Sequence, residues 1–294
     1  MDLEKFNQFK RWAIIALFSD DDFAERFVLK GGTALEVLKL TTRSSIDIDV
    51  SMEDDFTEEE LSSIEERLEN IFNEVYRPHG YTIFDFKFKE KPRSQSPERA
   101  KFWGGYNIEF KIYKTADMGS LDVSSLRRSA EIVAENGGRK FSIDISKYEY
   151  CSYFEEQDLD GYTINIYTPA MIVCEKIRAL CQQLPEYFIN DGKHKKPRPR
   201  DFYDIYTIMK FTKLSFDQID VNIFKEMFKI KKVDFSLLDI ILSTDYYNFT
   251  KEDLPSLINT LDLEERENFD FDICYNYVVD GIKLIKTKML NNQK

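Results

Sequence analysis

Apolar residues recur at Phe6, Phe9, Ala13, Ile14 and Leu17, steps of three and four that place them along one face of a helix over residues 2–18. The pattern then shortens. Phe27-Val28-Leu29 reads as a strand, Gly31-Gly32 as a break and residues 33–40 as a helix. Over residues 45–51, Ile46, Ile48 and Val50 alternate with Asp47 and Asp49, the period of a strand. A long helix is predicted over residues 57–75, where Thr57 and Glu60 have the spacing of a capping box. Residues 81–89, 106–113 and 140–146 each alternate apolar and polar positions, so three further strands are expected, with a charged loop over 90–105. From Thr168, a cap followed by Pro169 in the first turn, the periodicity is helical to the end.

This order predicts an α+β (α/β) protein. A first domain over residues 1–167 holds a mixed β-sheet flanked by helices, and a helical domain follows over 168–294. With 43% hydrophobic and 14% aromatic residues the 294-residue chain can bury real cores, which excludes global disorder. The longest apolar run, residues 12–18, is too short to span a bilayer, and the first residues lack the marks of a secretory signal. No membrane association and a cytoplasmic location are therefore expected. The four cysteines form no CxxC pair, and His79 and His194 lie at no ligand spacing from them, so any metal would be held by oxygen.

A net charge of -12 argues against a general nucleic-acid coat protein, but the charge is unevenly spread. Lys193, Lys195, Lys196, Arg198 and Arg200 form a basic run able to grip a polyanion, while residues 53–60 carry six acids and no base.

Asp47 and Asp49 lie two apart on a predicted strand, so both carboxylates leave one face, an arrangement that suits Mg²⁺ or Mn²⁺ and equally an ordinary wet strand. Gly31-Gly32-Thr33, between strand and helix, offers backbone N–H groups to a phosphate; a plain tight turn with Thr33 as cap accounts for it as well. Together they set a phosphate-binding turn beside a metal-binding strand.

The string Leu29-Lys30-Gly31-Gly32-Thr33-Ala34-Leu35, followed by Arg43, Ser45, Asp47 and Asp49, resembles the first motif of the nucleotidyltransferase superfamily in its AbiEii/MenT toxin branch. Later pieces agree in order: Lys140 to Ile145 resembles the strand with a third carboxylate, Asp144. Glu175 to Leu180 resembles the lysine helix, and Arg198 to Asp204 the Arg-Asp-x-x-Asp motif. The likeness extends over roughly residues 10–210 by motif order.

The resemblance implies transfer of a nucleotide from an NTP to an acceptor hydroxyl with release of pyrophosphate. Asp47, Asp49 and Asp144 would hold Mg²⁺ or Mn²⁺, with Asp144 also a candidate base. Gly31, Gly32 and Thr33 would bind phosphates and Lys176 would neutralise the leaving group; Arg43 would contact phosphate or pair with an acid such as Glu36. Asp201 would orient Lys176 and Arg200 or approach the nucleotide, with Asp204 in support. The acceptor expected is RNA, the 3′ end of tRNA, held by the basic run, and the chain would act as the toxin of a toxin–antitoxin or phage-defence pair with a cognate antitoxin. Two alternatives stay open: transfer to a protein or to a small molecule such as an aminoglycoside, and an NTP-binding partner protein without turnover.

Overall fold

The computed structural model describes residues 2–41, 45, 47–117, 122–134, 136–190, 192 and 196–291. They divide into two compact units, residues 1–34 with 45–166, and residues 35–44 with 167–294.

The first unit opens with α1 (Leu3–Phe18), whose first turn is closed by the Asp2 carboxylate accepting the Lys5 N–H, and α2 (Asp21–Arg26). Then come β1 (Val28–Lys30), the start of α3 (Gly31–Val37), β2 (Ile48–Ser51) and α4 (Glu58–Tyr76). In α4 Thr57 and Glu60 make both bonds of the capping box, satisfying two donors at the helix start. The unit continues with β3 (Tyr81–Lys91), α5 (Pro97–Ala100), β4 (Gly105–Lys114), α6 (Val123–Ser129), β5 (Phe141–Ser146), β6 (Glu155–Leu159) and β7 (Tyr162–Ile166).

Among the described residues the strands form one mixed sheet in the order β3-β4-β5-β2-β1-β7-β6. β2 runs parallel to β5 and β1 parallel to β7; the remaining neighbours are antiparallel. One face of β4 and β5 buries Ile108, Phe110, Ile112, Phe141 and Ile143 completely or nearly so. Phe72 and Tyr76 of α4 meet Phe110 edge-on, and the Tyr76 hydroxyl donates to the Phe9 carbonyl at 2.6 Å, tying α4 to α1. The opposite positions, Asn107, Glu109, Lys111, Ser142 and Asp144, are only half-buried, which is what the alternation demands of a sheet with one wet face.

Several elements depart from the sequence expectations. The hairpin of β6 and β7 is absent from them because Glu155 to Leu159 shows no apolar alternation; its signal is the Asp160-Gly161 turn, where φ is 57° and 88°. Helix α3 begins at Gly31 itself, and β3 and a short helix take part of the charged 90–105 stretch.

The second unit is helical: α7 (Pro169–Cys181), α8 (Pro199–Thr212), α9 (Val221–Ile230), α10 (Leu237–Ile241), α11 (Thr244–Lys251), α12 (Leu254–Ile258), α13 (Leu263–Asn268) and α14 (Phe271–Asn291). Thr168 caps α7 by accepting the Met171 N–H, with Pro169 in the first turn. Phe202 of α8 stacks on Tyr275 of α14 at 4.7 Å within the core. All four cysteines are free and buried. Among the described residues no helix is long and apolar enough to cross a membrane.

Candidate functional site

In the first unit the strand register does what sequence spacing alone leaves open. Asp49 of β2 is the register partner of Lys30 on one side and of Asp144 on the other, and Asp144 in turn pairs with Asn107. Register partners share a face, so Lys30, Asp49, Asp144 and Asn107 form one row across four strands. Asp47, just before β2, is exposed, while Asp49 and Asp144 are half-buried.

The glycine turn lies directly against this row. Gly31 has φ +68°, in the left-handed region, and a Cβ built on it would stand 2.5 Å from Asp49 Oδ2. Only glycine lets the carboxylate sit there. A Cβ on Gly32 would meet Ser45 Oγ at 2.8 Å. Thr33 is buried, its hydroxyl donating to the Asp47 carbonyl at 2.6 Å, and Ser45 Oγ donates to the same carbonyl at 3.1 Å. Lys10 Nζ donates to the Ser45 carbonyl at 2.8 Å. The segment entering β2 is thus fixed by side chains of the turn and of α1.

Asp144 accepts from Asn107 Nδ2 at 2.8 Å and from Lys91 Nζ at 2.9 and 3.0 Å on its two oxygens. Lys30 is buried, its ammonium 3.5 Å from Glu149 Oε1. Neither Lys91, Asn107 nor Lys30 stood out in the sequence as a site residue. Lys30 adjoins the glycines and was findable; the other two are joined to Asp144 by register alone.

Among the described residues, no three His, Cys, Asp or Glu side chains gather closely enough to hold a metal ion. The donor chemistry nevertheless fits a hard divalent cation: neighbouring carboxylates on β2 and β5, a third at the strand entrance, and a glycine where a Cβ would displace one of them. The cation that Asp144 contacts in this structure is the Lys91 ammonium.

The second unit contains a separate ionic cluster. Lys176 on α7 donates to Asp201 Oδ1 at 3.0 Å and to Asp204 Oδ2 at 2.6 Å, and Arg198 donates to Asp201 Oδ2. Asp201 and Asp204 lie three apart on α8 and therefore share a face. Lys176, Asp201 and Asp204 are all buried. Burial opposes ionisation of Asp201, but the charges of Arg198 and Lys176 outweigh it and hold its pKa down to about 2. Burial likewise opposes the charge on Lys176, and Asp204 and Asp201 outweigh it, raising its pKa.

Of the basic run, Lys196, Arg198 and Arg200 are exposed, and Arg200 donates to the Ser256 carbonyl at 3.1 Å. Arg43, Lys193 and Lys195 lie outside the described residues.

The model of the family described as nucleotidyl transferase AbiEii toxin, type IV toxin–antitoxin system, matches residues 13–272. Similar solved structures include a proposed nucleotidyltransferase from H. pylori, 15% identical, with a TM-score of 0.47, covering 98% of this chain and 96% of that one. A second Helicobacter pylori protein, JHP933, is 15% identical with a TM-score of 0.45, covering 99% and 95%. MenT4, a nucleotidyltransferase toxin from Mycobacterium tuberculosis, is 12% identical with a TM-score of 0.33, covering 92% and 91%. No curated relative matches by sequence.

Proposed function

Because the chain belongs to the family of nucleotidyl transferase AbiEii toxins of type IV toxin–antitoxin systems, we propose that this nucleotidyltransferase moves a nucleotide from an NTP to an RNA hydroxyl. The acceptor is the 3′ end of tRNA, and the toxic outcome is arrest of translation. An antitoxin encoded with it would restrain the activity, and both would work in the cytoplasm, in defence against phage.

The observation that carries this reading is the contact of a positive-φ glycine with a strand carboxylate whose register neighbour is a second carboxylate, Gly31 against Asp49 beside Asp144. Gly31, Gly32 and Thr33 would bind the phosphates through backbone N–H groups of the first turn of α3. Asp47, Asp49 and Asp144 would hold Mg²⁺, which when bound polarises the phosphate and neutralises its charge. Asp144 accepts the proton of the acceptor hydroxyl as its oxygen bonds to the α-phosphorus, and the bond to the β-phosphate oxygen breaks to release pyrophosphate. Asn107 holds the Asp144 carboxylate in orientation. In the second unit Lys176 stays charged between Asp201 and Asp204.

Each α-phosphate-labelled NTP, with Mg²⁺ and total bacterial RNA, is incubated with the wild type and with Asp47→Asn/Asp49→Asn. Label on a tRNA-sized band that disappears in the variant is the expected result. Label on protein or on an added aminoglycoside would move the acceptor to that class, and tight NTP binding with no pyrophosphate release would overturn turnover itself.

A further inference from the structure

The wet face of β3, β4 and β5 carries more than Asp144. Lys87, Lys89 and Lys91 occupy alternate positions of β3, so their side chains leave one face about 6.8 Å apart. Register places Lys87 opposite Glu109 and Lys89 opposite Asn107, whose own partner is Asp144. Lys111 of β4 and Lys140, just before β5, reach the same face: Lys140 donates to Glu109 at 2.7 Å, Lys89 to Glu109 at 2.6 Å and Lys111 to Asp85 at 3.2 Å. Among the described residues of these three strands and Lys140, five lysines thus stand against three carboxylates, Asp85, Glu109 and Asp144. The side chains of Lys91 and Lys140 are 61% and 58% exposed. In a chain of net charge -12 this is a strip of the opposite sign, and it leads to the carboxylate assigned to the acceptor hydroxyl.

We infer that this sheet face is the track on which a single-stranded RNA lays its phosphodiester backbone, with its terminal hydroxyl delivered to Asp144. The inference rests on the RNA-acceptor reading. Charge complementarity selects a polyanion, because a -12 protein repels one everywhere except where lysines concentrate. Asn107 and Ser142, hydrogen-bonded to each other at 2.8 Å between the lysines, keep the surface polar without adding negative charge. Long flexible ammonium side chains on a sheet face grip phosphates without reading bases, so binding is expected to be insensitive to sequence and steep in salt.

The test measures binding of a fluorescent oligouridylate to the full-length protein across a salt series. On a single strand the slope of log affinity against log salt is about 0.7 per phosphate contact, so Lys87→Gln/Lys89→Gln/Lys140→Gln should flatten it by about 2. The same positions changed to Arg should keep the slope. Glu109→Gln should tighten binding, a gain that misfolding does not mimic. An unaltered slope in the triple Gln variant overturns the track, and if that variant still labels RNA the acceptor reading stands without it. A wild type that binds no oligouridylate, or binds polyglutamate in its place, overturns the track, while label found only on protein overturns the acceptor reading on which it rests.

Discussion

Replacing Gly31 by Ala should separate catalysis from stability. The residue sits at φ +68°, where an L side chain costs about 1–2 kcal/mol, partly offset by about 0.4–1 kcal/mol from a stiffer unfolded chain. The new methyl would stand 2.5 Å from Asp49 Oδ2 and 3.2 Å from its Cβ and Cγ, so the carboxylate must retreat by roughly 1 Å to reach ordinary contact. A displacement of that size at a reacting centre costs about 100-fold in rate. The expected result is therefore a rate of pyrophosphate release about 100-fold down, with only about 1 kcal/mol lost in urea unfolding. Two controls localise the cause. Adding Asp49→Gly to Gly31→Ala removes the clash but not the cost of the positive φ, so it should recover little of the stability and none of the rate. Among the described residues Gly32→Ala meets the Ser45 side chain alone, its Oγ at 2.8 Å and Cβ at 2.9 Å, so Ser45→Gly should rescue it. A Gly31→Ala enzyme within threefold of wild type would refute the contact between turn and carboxylate as the organising feature of the site.

The buried cluster of the second unit gives a stability prediction: Lys176→Met leaves Asp201 and Asp204 without their shared ammonium and should cost about 3–5 kcal/mol by urea unfolding, and a loss under 1 kcal/mol would contradict it. Because the folded pKa of Asp201, about 2, lies below its ordinary 3.8, its ionisation contributes stability above about pH 4. That contribution, on the order of 2 kcal/mol, should fade as pH falls from 4 toward 2, and unfolding curves for wild type and Asp201→Asn should converge there. In α14, Gly281→Ala would gain about 1 kcal/mol of helix propensity yet drive its methyl to 2.2 Å from the Phe216 ring, so a net loss of about 1–3 kcal/mol is expected, and a raised melting temperature would count against this packing.

What the sequence determined by itself is whatever depends on neighbours a few residues apart. The face of α1, the Thr57–Glu60 box, the Thr168-Pro169 helix start and the alternation of β3, β4 and β5 all follow from spacings of two to four residues. So does the succession of glycine turn and Asp47-x-Asp49, on which the family likeness rests. Tertiary structure alone decided the partners. Nothing local says that Asp144 lies beside Asp49, that Lys91, 53 residues away, binds it, or that the Thr33 hydroxyl serves the Asp47 carbonyl. The hairpin of β6 and β7 forms although its first strand has no apolar alternation, because backbone pairing supplies what the side chains do not signal. Nothing local to Lys176 says that it is buried between two carboxylates; α7 and α8 decide that by packing. Register and helix packing fix these contacts through backbone hydrogen bonds and burial summed over whole elements, so no single residue's spacing carries them.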